Sequence, residues 1–358
     1  MSGGRIRLGV LGLGTVGSAV AEILHRDRVR LSERVGAELQ LVRAVVRNRK
    51  RKLTRATKKI ELVTHPAAVL EADDIDVVVE LAGGIDPAKS WIQGALRRGR
   101  PVVTANKAVI AAAGPKLHAA AVEGGAGLYY EGAVAGGIPI IRTLRDSLAS
   151  DRIRTVRGVL NGTTNFILGE MENGLAYETA LKRAQELGYA EADPTLDVNG
   201  GDAADKLAIL VQLAFGLTVT RKKLSVQGIE KLTPDVLVDA ERLGYRVKLL
   251  ATGRLDGGDG VEARVHPAFV RRGTPLAAIP GALNAVRVDS QNLGSTFYEG
   301  PGAGGFPTGN AVVADILEAA RNLRVGVVPP GPPRVSSRRL APALHAKVVT
   351  TTGIGPFA

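Results

Sequence analysis

The chain has 358 residues, enough for about two domains at roughly 100–200 residues each, and 45% of them are hydrophobic, so a large core can form. It contains no cysteine, which excludes disulfides, thiolate nucleophiles and cysteine-held metals. The net charge of +12 fits either an anionic partner or a plain basic surface; with 4% aromatic residues, not interleaved with the cations, nucleic acid is not the expected partner. No apolar run reaches the ~18 residues of a membrane span. The start of the chain has no apolar leader pattern, so a cytoplasmic protein is expected.

Along the chain, a short apolar run over 6–11 ends in glycines, and a helical pattern follows over 15–31. A second strand is predicted over 39–47, then a basic stretch over 47–59. Further apolar runs lie at 76–81, 101–105 and 127–134, with helical segments at 89–98 and 108–123 between them. Strands alternating with helices imply a parallel sheet with right-handed crossovers. Past residue 134 the pattern changes to strand-like runs at 153–160, 245–255, 261–270 and 284–289, mixed with two long helices, which predicts a mixed α+β second domain. A helical segment over 310–323 is expected to return to the first domain, and 329–358, opening on Pro-Pro-Gly-Pro-Pro, reads as a flexible tail. The expected division is therefore 1–134, 135–309, 310–328 and 329–358.

The first strand runs into Gly12, Gly14 and Gly17, a GxGxxG. In a Rossmann dinucleotide site the first glycine permits the tight turn, the second lets backbone approach the pyrophosphate, and the third packs helix on strand. Thr15 and Val16 then open the helix, whose terminal amides suit the phosphates. At the end of the second strand an NAD enzyme usually carries Asp or Glu. This chain has Arg47, Asn48, Arg49 and Lys50 instead. Arg47, Arg49 and Lys50 suit a 2′-phosphate, so NADP is expected, with NAD also possible; a solvated basic loop is the plain alternative.

Three later segments carry chemistry: Val103-Thr104-Ala105-Asn106-Lys107, Tyr130-Glu131-Gly132-Ala133-Val134-Ala135-Gly136-Gly137-Ile138, and Leu187-Gly188-Tyr189-Ala190-Glu191 through Asp197 to Asp202 and Lys206. With Leu160-Asn161-Gly162-Thr163-Thr164 and Gly300-Pro301-Gly302, their order and spacing resemble the homoserine dehydrogenase family over roughly residues 6–325. The resemblance implies a doubly wound Rossmann domain followed by a mixed α+β catalytic and dimerisation domain. It also implies a homodimer and the reversible reduction of L-aspartate 4-semialdehyde to L-homoserine. The length matches a short form without an added regulatory domain.

Hydride transfer to an aldehyde leaves an alkoxide that needs a proton. Lys206 is the candidate donor, with Lys107 arriving from the other domain. Two such ammonium groups would be expected to depress each other's pKa. A lysine at a helix start opposes the macrodipole, which favours a site role for Lys107. Glu191, Asp197 and Asp202 suit the substrate's ammonium group. Asp202 and Lys206 also read as a plain i,i+4 surface pair, Asp193 as a turn residue before Pro194, and Asp205 as solvent-facing. The family match places Gly188 and Gly302 beside the cofactor, although either could be a plain turn glycine. It also implies sodium or potassium held mainly by backbone oxygens of Glu131, Val134, Gly136 and Ile138, where a glycine-rich hinge is the alternative. No zinc-type histidine cluster is present in the sequence. Two other readings stay open: another NAD(P)-dependent dehydrogenase of a small amino-acid-derived aldehyde, and a non-catalytic NADP-binding protein with a nucleic-acid-binding surface.

Overall fold

The computed structural model describes residues 4–50, 52 and 54–342. The first part of the chain runs β1 (Arg5–Leu11), α1 (Thr15–Arg26), α2 (Arg28–Val35), β2 (Glu38–Val45), β3 (Glu61–Val63), α3 (Ala67–Leu70), β4 (Val77–Glu80), α4 (Ala88–Arg97), β5 (Val102–Thr104), α5 (Lys107–Gly124) and β6 (Leu128–Tyr129). Its six strands form one parallel sheet in the order β3-β2-β1-β4-β5-β6. This is the doubly wound order, with ligands expected where it reverses beside β1. Both faces are covered, so Leu8–Leu11 of β1 and Val77–Val79 of β4 are continuous apolar runs. Val77 and Val79 pack with Val20 and Ile316 on one face, and Val78 packs with Ile92 and Leu117 on the other.

Three local readings change. The single helix expected over 15–31 breaks at Asp27, whose carboxylate pairs with Arg26 at 3.1 Å and Arg30 at 3.2 Å. The strand β3 was hidden because only Leu62 of its three residues is buried. The apolar run over 127–134 gives a two-residue strand and then a 3₁₀ turn over Glu131–Ala133.

The second part contains α6 (Ile140–Arg142), β7 (Ile153–Val159), α7 (Gly162–Glu172), α8 (Tyr177–Glu186), α9 (Thr195–Val198), α10 (Gly201–Phe215), β8 (Ser225–Val226), α11 (Pro234–Arg242), β9 (Tyr245–Leu255), β10 (Gly260–Arg271), α12 (Pro275–Ala278), β11 (Leu283–Ser290) and β12 (Ser295–Pro301). These are followed by α13 (Gly305–Val325) and β13 (Arg339–Leu340). The second sheet has the order β12-β11-β7-β9-β10-β13, with β8 also on β10. Its long pairings are antiparallel, and one face packs Val156, Val247, Ala251 and Val265 against Leu207 and Val211 of α10. Because α10 is buried on nearly every side, it has little amphipathic pattern to read.

The helix α13 returns to the first sheet and lies on α1; a Cβ on Gly309 would stand 3.1 Å from the methyl of Ala19, so the two helices approach closely there. The segment expected to be a flexible tail is docked as far as it is described. The Gln212 side chain donates to the Pro333 carbonyl at 2.6 Å, Val335 N–H donates to the Gly216 carbonyl at 3.2 Å, and β13 pairs with β10. Residues 343–358 lie outside the described residues. Among the described residues, no helix is long and apolar enough to cross a membrane.

Candidate active site

The loop after β1 has the shape that its glycines predict. Gly12 takes φ +105°, where a Cβ would meet the Leu81 backbone at 2.8 Å, and a Cβ on Gly17 would stand 2.5 Å from the Gly12 carbonyl oxygen. Gly14 borders open space and caps α1 without a side-chain bond, leaving first-turn amides facing outward beside exposed Thr15 and half-buried Val16. That donor set and that open space fit a dinucleotide pyrophosphate. Arg47, Arg49 and Lys50 are exposed just beyond β2, where Lys50 N–H donates to the Asn48 side chain at 2.8 Å.

Across the sheet from this loop, a chain of buried polar groups orders the start of α5. Glu80 accepts from the Thr104 hydroxyl at 2.7 Å and from Ala82 N–H at 2.8 Å. Thr104 in turn accepts from Asn106 N–H at 3.0 Å. The Asn106 amide donates to the Gly84 carbonyl at 2.6 Å, and its oxygen caps α5 by accepting from Val109 N–H at 3.2 Å. Lys107 is the next residue.

Lys107 reaches the second domain. Its Nζ stands 3.0 Å from Asp202 Oδ1, while Lys206 Nζ donates to Asp202 Oδ2 at 2.7 Å and to the Leu160 carbonyl at 2.6 Å. Asp202 and Lys206 are therefore not a surface pair: their side chains are 6% and 9% exposed. Lys107 is open at 35%. Burial alone would raise the Asp202 carboxyl, but Lys206 and Lys107 outweigh it and hold Asp202 well below the usual carboxylate range. The expected mutual depression of the lysines does not hold for Lys107. Asp202 lies between the two cations, and its charge raises Lys107 against the opposing effect of burial.

Asn161 completes the cluster. Its Nδ2 donates to Asp197 at 2.7 Å and to Asp202 at 2.8 Å, and its Oδ1 caps α7 by accepting from Thr164 N–H at 2.8 Å. Burial and then the charge of Asp202 raise Asp197, partly offset by Asn161. Glu191 stands apart, exposed on the loop between α8 and α9, as does Gly188 with φ +75°. Asp193 is a turn residue, accepting from Thr195 N–H at 3.1 Å. Asp205 corrects its expected exposure: it is buried, and Arg221 stands 3.2 Å from its carboxylate. Gly302 borders the site through Asn284. A Cβ there would meet the Asn284 amide at 2.1 Å, and Asn284 Nδ2 donates at 2.9 Å to the same Leu160 carbonyl that takes Lys206.

The sequence flagged Asn161 only as part of a matching segment, although an asparagine between an apolar run and a helix is a capping signal. Nothing in sequence pointed to Asn284 or to the Leu160 carbonyl.

Glu131 is buried and its carboxylate is already used: it accepts from Ile141 N–H at 2.9 Å and Arg142 N–H at 2.8 Å. Val134, Gly136 and Ile138 follow on a buried loop that folds back at Ala135, a non-glycine residue at φ +49°. Ile138 N–H donates to the Ala135 carbonyl at 2.6 Å, and the Ile138 carbonyl accepts from Ile140 N–H at 2.8 Å. Among the described residues no group of three or more His, Cys, Asp or Glu side chains could hold a metal ion.

Residues 12–131 match the family model described as homoserine dehydrogenase, NAD binding domain, and residues 139–317 match that described as homoserine dehydrogenase. The homoserine dehydrogenase of Bacillus subtilis is 43% identical over 323 residues, 90% of this chain and 74% of that protein. That of Mycobacterium tuberculosis is 45% identical over 343 residues, 94% of this chain and 77% of that protein. A solved homoserine dehydrogenase from Thiobacillus denitrificans superposes with a TM-score of 0.87 at 44% identity, over 90% of this chain and 74% of that one. A hyperthermophilic archaeal homoserine dehydrogenase solved with NADPH gives a TM-score of 0.75 at 29% identity, over 88% and 97%. With both halves matched and the lysine–carboxylate cluster joining them, the chain belongs to the homoserine dehydrogenase family of NAD(P)-dependent oxidoreductases.

Proposed function

We propose that this chain interconverts L-homoserine and L-aspartate 4-semialdehyde at the cluster of Lys107, Asp202 and Lys206. One observation carries the reading: lysines from the two halves of the molecule converge on a single buried carboxylate. The dinucleotide supplies the hydride donor for reduction and the acceptor for oxidation. The chain supplies the proton and the charge. In reduction, the aldehyde oxygen gains a proton from Lys206 Nζ as the hydride reaches carbon. The partly open ammonium of Lys107 stabilises negative charge developing on that oxygen. Asp202 is fully engaged by its donors, so it fixes the lysines. Asp197 and Glu191 are left to meet the substrate ammonium.

NADP is the proposed cofactor, held by Gly12, Gly14, Thr15, Val16 and Gly17 at the pyrophosphate, with Arg47, Arg49 and Lys50 at the 2′-phosphate and Gly188, Gly302 and Lys107 toward the reacting end. The archaeal relative solved with NADPH supports this choice. A sodium or potassium ion belongs to the same proposal, bound through the main-chain oxygens of Glu131, Val134, Gly136 and Ile138. The bent backbone at Ala135 supports a loop shaped for a purpose beyond packing. A homodimer and the division at residues 134, 309 and 328 are proposed with it.

The test is homoserine oxidation by the purified protein, followed at the reduced-nicotinamide absorbance with NADP and NAD in parallel, with and without sodium or potassium. Turnover with NADP supports the reading. Turnover with NAD alone, alongside tight NADP binding, would mean that the basic cluster traps NADP. Activity on a homologous aldehyde but not on aspartate semialdehyde would overturn the substrate assignment.

A further inference from the structure

The amide of Asn161 has no spare capacity. Both protons of Nδ2 are used, one on Asp197 and one on Asp202, and Oδ1 takes Thr164 N–H at the start of α7. The residue is 4% exposed, so no water replaces these partners. The amide cannot turn over, because rotation would set Oδ1 against two carboxylates and strip the cap from α7. Three elements thereby meet at one planar group: the N-terminus of α7, the short α9 that carries Asp197, and the start of α10, whose first turn carries Asp202 and whose second carries Lys206.

We propose that Asn161 is a positioning residue: it holds the carboxylates of Asp197 and Asp202 on one shared donor, so that Asp202 faces the two lysines while Asp197 is kept for the substrate ammonium. The proposal rests on the functional reading above. Two carboxylates this near each other repel; the lysines keep Asp202 charged, while for Asp197 the Asn161 donor comes first among the groups that offset burial and that repulsion. The charged groups facing Asp197 are Asp202 and Lys206 of α10 and Lys107 of α5, and these already pull it in opposite directions. Without the Asn161 donor, Asp197 gains a proton at higher pH and the ammonium loses its partner.

The test compares wild type with Asn161→Ser and Asn161→Asp. Serine keeps an oxygen to cap α7 but offers one proton where the amide offers two. Aspartate keeps the cap and adds a third carboxylate. For Asn161→Ser, KM for homoserine should rise about tenfold with kcat reduced less than about threefold, the signature of lost substrate binding. The acid limb of kcat/KM should move to higher pH, and NADP affinity should stay within about twofold. Asn161→Asp should exceed Asn161→Ser in both kinetic effects. An unmoved acid limb, or equal losses in homoserine and NADP binding, overturns the proposal in favour of a purely structural cap. Side-chain carboxyl titration of Asp197 by NMR, in wild type and Asn161→Ser without substrate, separates this from the functional reading. An upward shift in the variant supports the positioning role even if homoserine is not turned over, and no shift sinks it even if homoserine is.

Discussion

Asp202 receives Lys107 on one oxygen and Lys206 and Asn161 on the other, so the contacts of the cluster meet at its carboxylate. Its neighbours then take distinct roles according to access. Lys206 is enclosed and held by the Leu160 carbonyl, while Lys107 remains partly exposed. The proton transfer proposed for Lys206 needs fixed aim, so Lys206→Ala should lower turnover by about 10²–10⁴-fold while the dinucleotide still binds within a few-fold. Stopped turnover with intact NADP binding, read by fluorescence titration, is the expected result; loss of both together would make Lys206 a structural residue. At the other end of the cofactor, exposed Arg47 should matter only through a 2′-phosphate. Arg47→Ala should weaken NADP by about tenfold or more and leave NAD nearly unchanged, since a charge-assisted contact to an exposed phosphate is what is removed. Equal weakening of both would take Arg47 out of that role.

At the scale of elements, the active cluster is placed by helix starts. Asn106 caps α5 one residue before Lys107, Asn161 caps α7, and α10 opens one residue before Asp202 and five before Lys206. The turn into α1 is also tight, because a Cβ on Gly17 would stand 2.5 Å from the Gly12 carbonyl oxygen. Gly17→Ala should therefore push α1 off β1 and reduce dinucleotide affinity at least about tenfold, with a destabilisation of about 1–3 kcal/mol from overpacking. Unchanged NADP binding, measured by calorimetry, would show that the loop adapts and that the third glycine is not required. The glycine turn into α1 and the strand end before Lys107 were legible in sequence, since glycine spacing and strand ends are local signals, whereas the starts of α7 and α10 were not placed. The pairing of Lys107 with Asp202 was legible only through the family pattern, because the two lie far apart in the chain. Asp205 was misread as solvent-facing because α10 is buried all round and its polar residues mark no outer face. The strand β12 went unread because its residues are only half buried or exposed and show little apolar alternation.

For the whole molecule, the segment after α13 ties the two halves together along a path that its proline-rich composition concealed. It passes α5 near His118, crosses the end of α10 at Gln212 and Gly216, and adds β13 to the second sheet. A small pocket remains beneath it, lined by Ile110, His118, Ile209, Pro332 and Arg334 among others. Burial, and then the charge of Arg334, push the His118 imidazole down to about 4. An unfolded histidine titrates near 6.5. Between those values the unfolded chain binds a proton that the folded one refuses, so stability is full above about pH 6.5 and falls as the pH drops toward 4. Since His118 is not completely enclosed, the loss should be about 1–3 kcal/mol. His266, also held at about 4 by burial, adds a similar slope of its own. The measurement is therefore a difference: urea midpoints of wild type and His118→Asn at pH 7.5 and 4.5. The variant should lose less stability than wild type on acidification, because one of the two refused protons is gone. Parallel losses in both proteins would mean that His118 stays solvated and that this segment leaves the flank of α5 open to water.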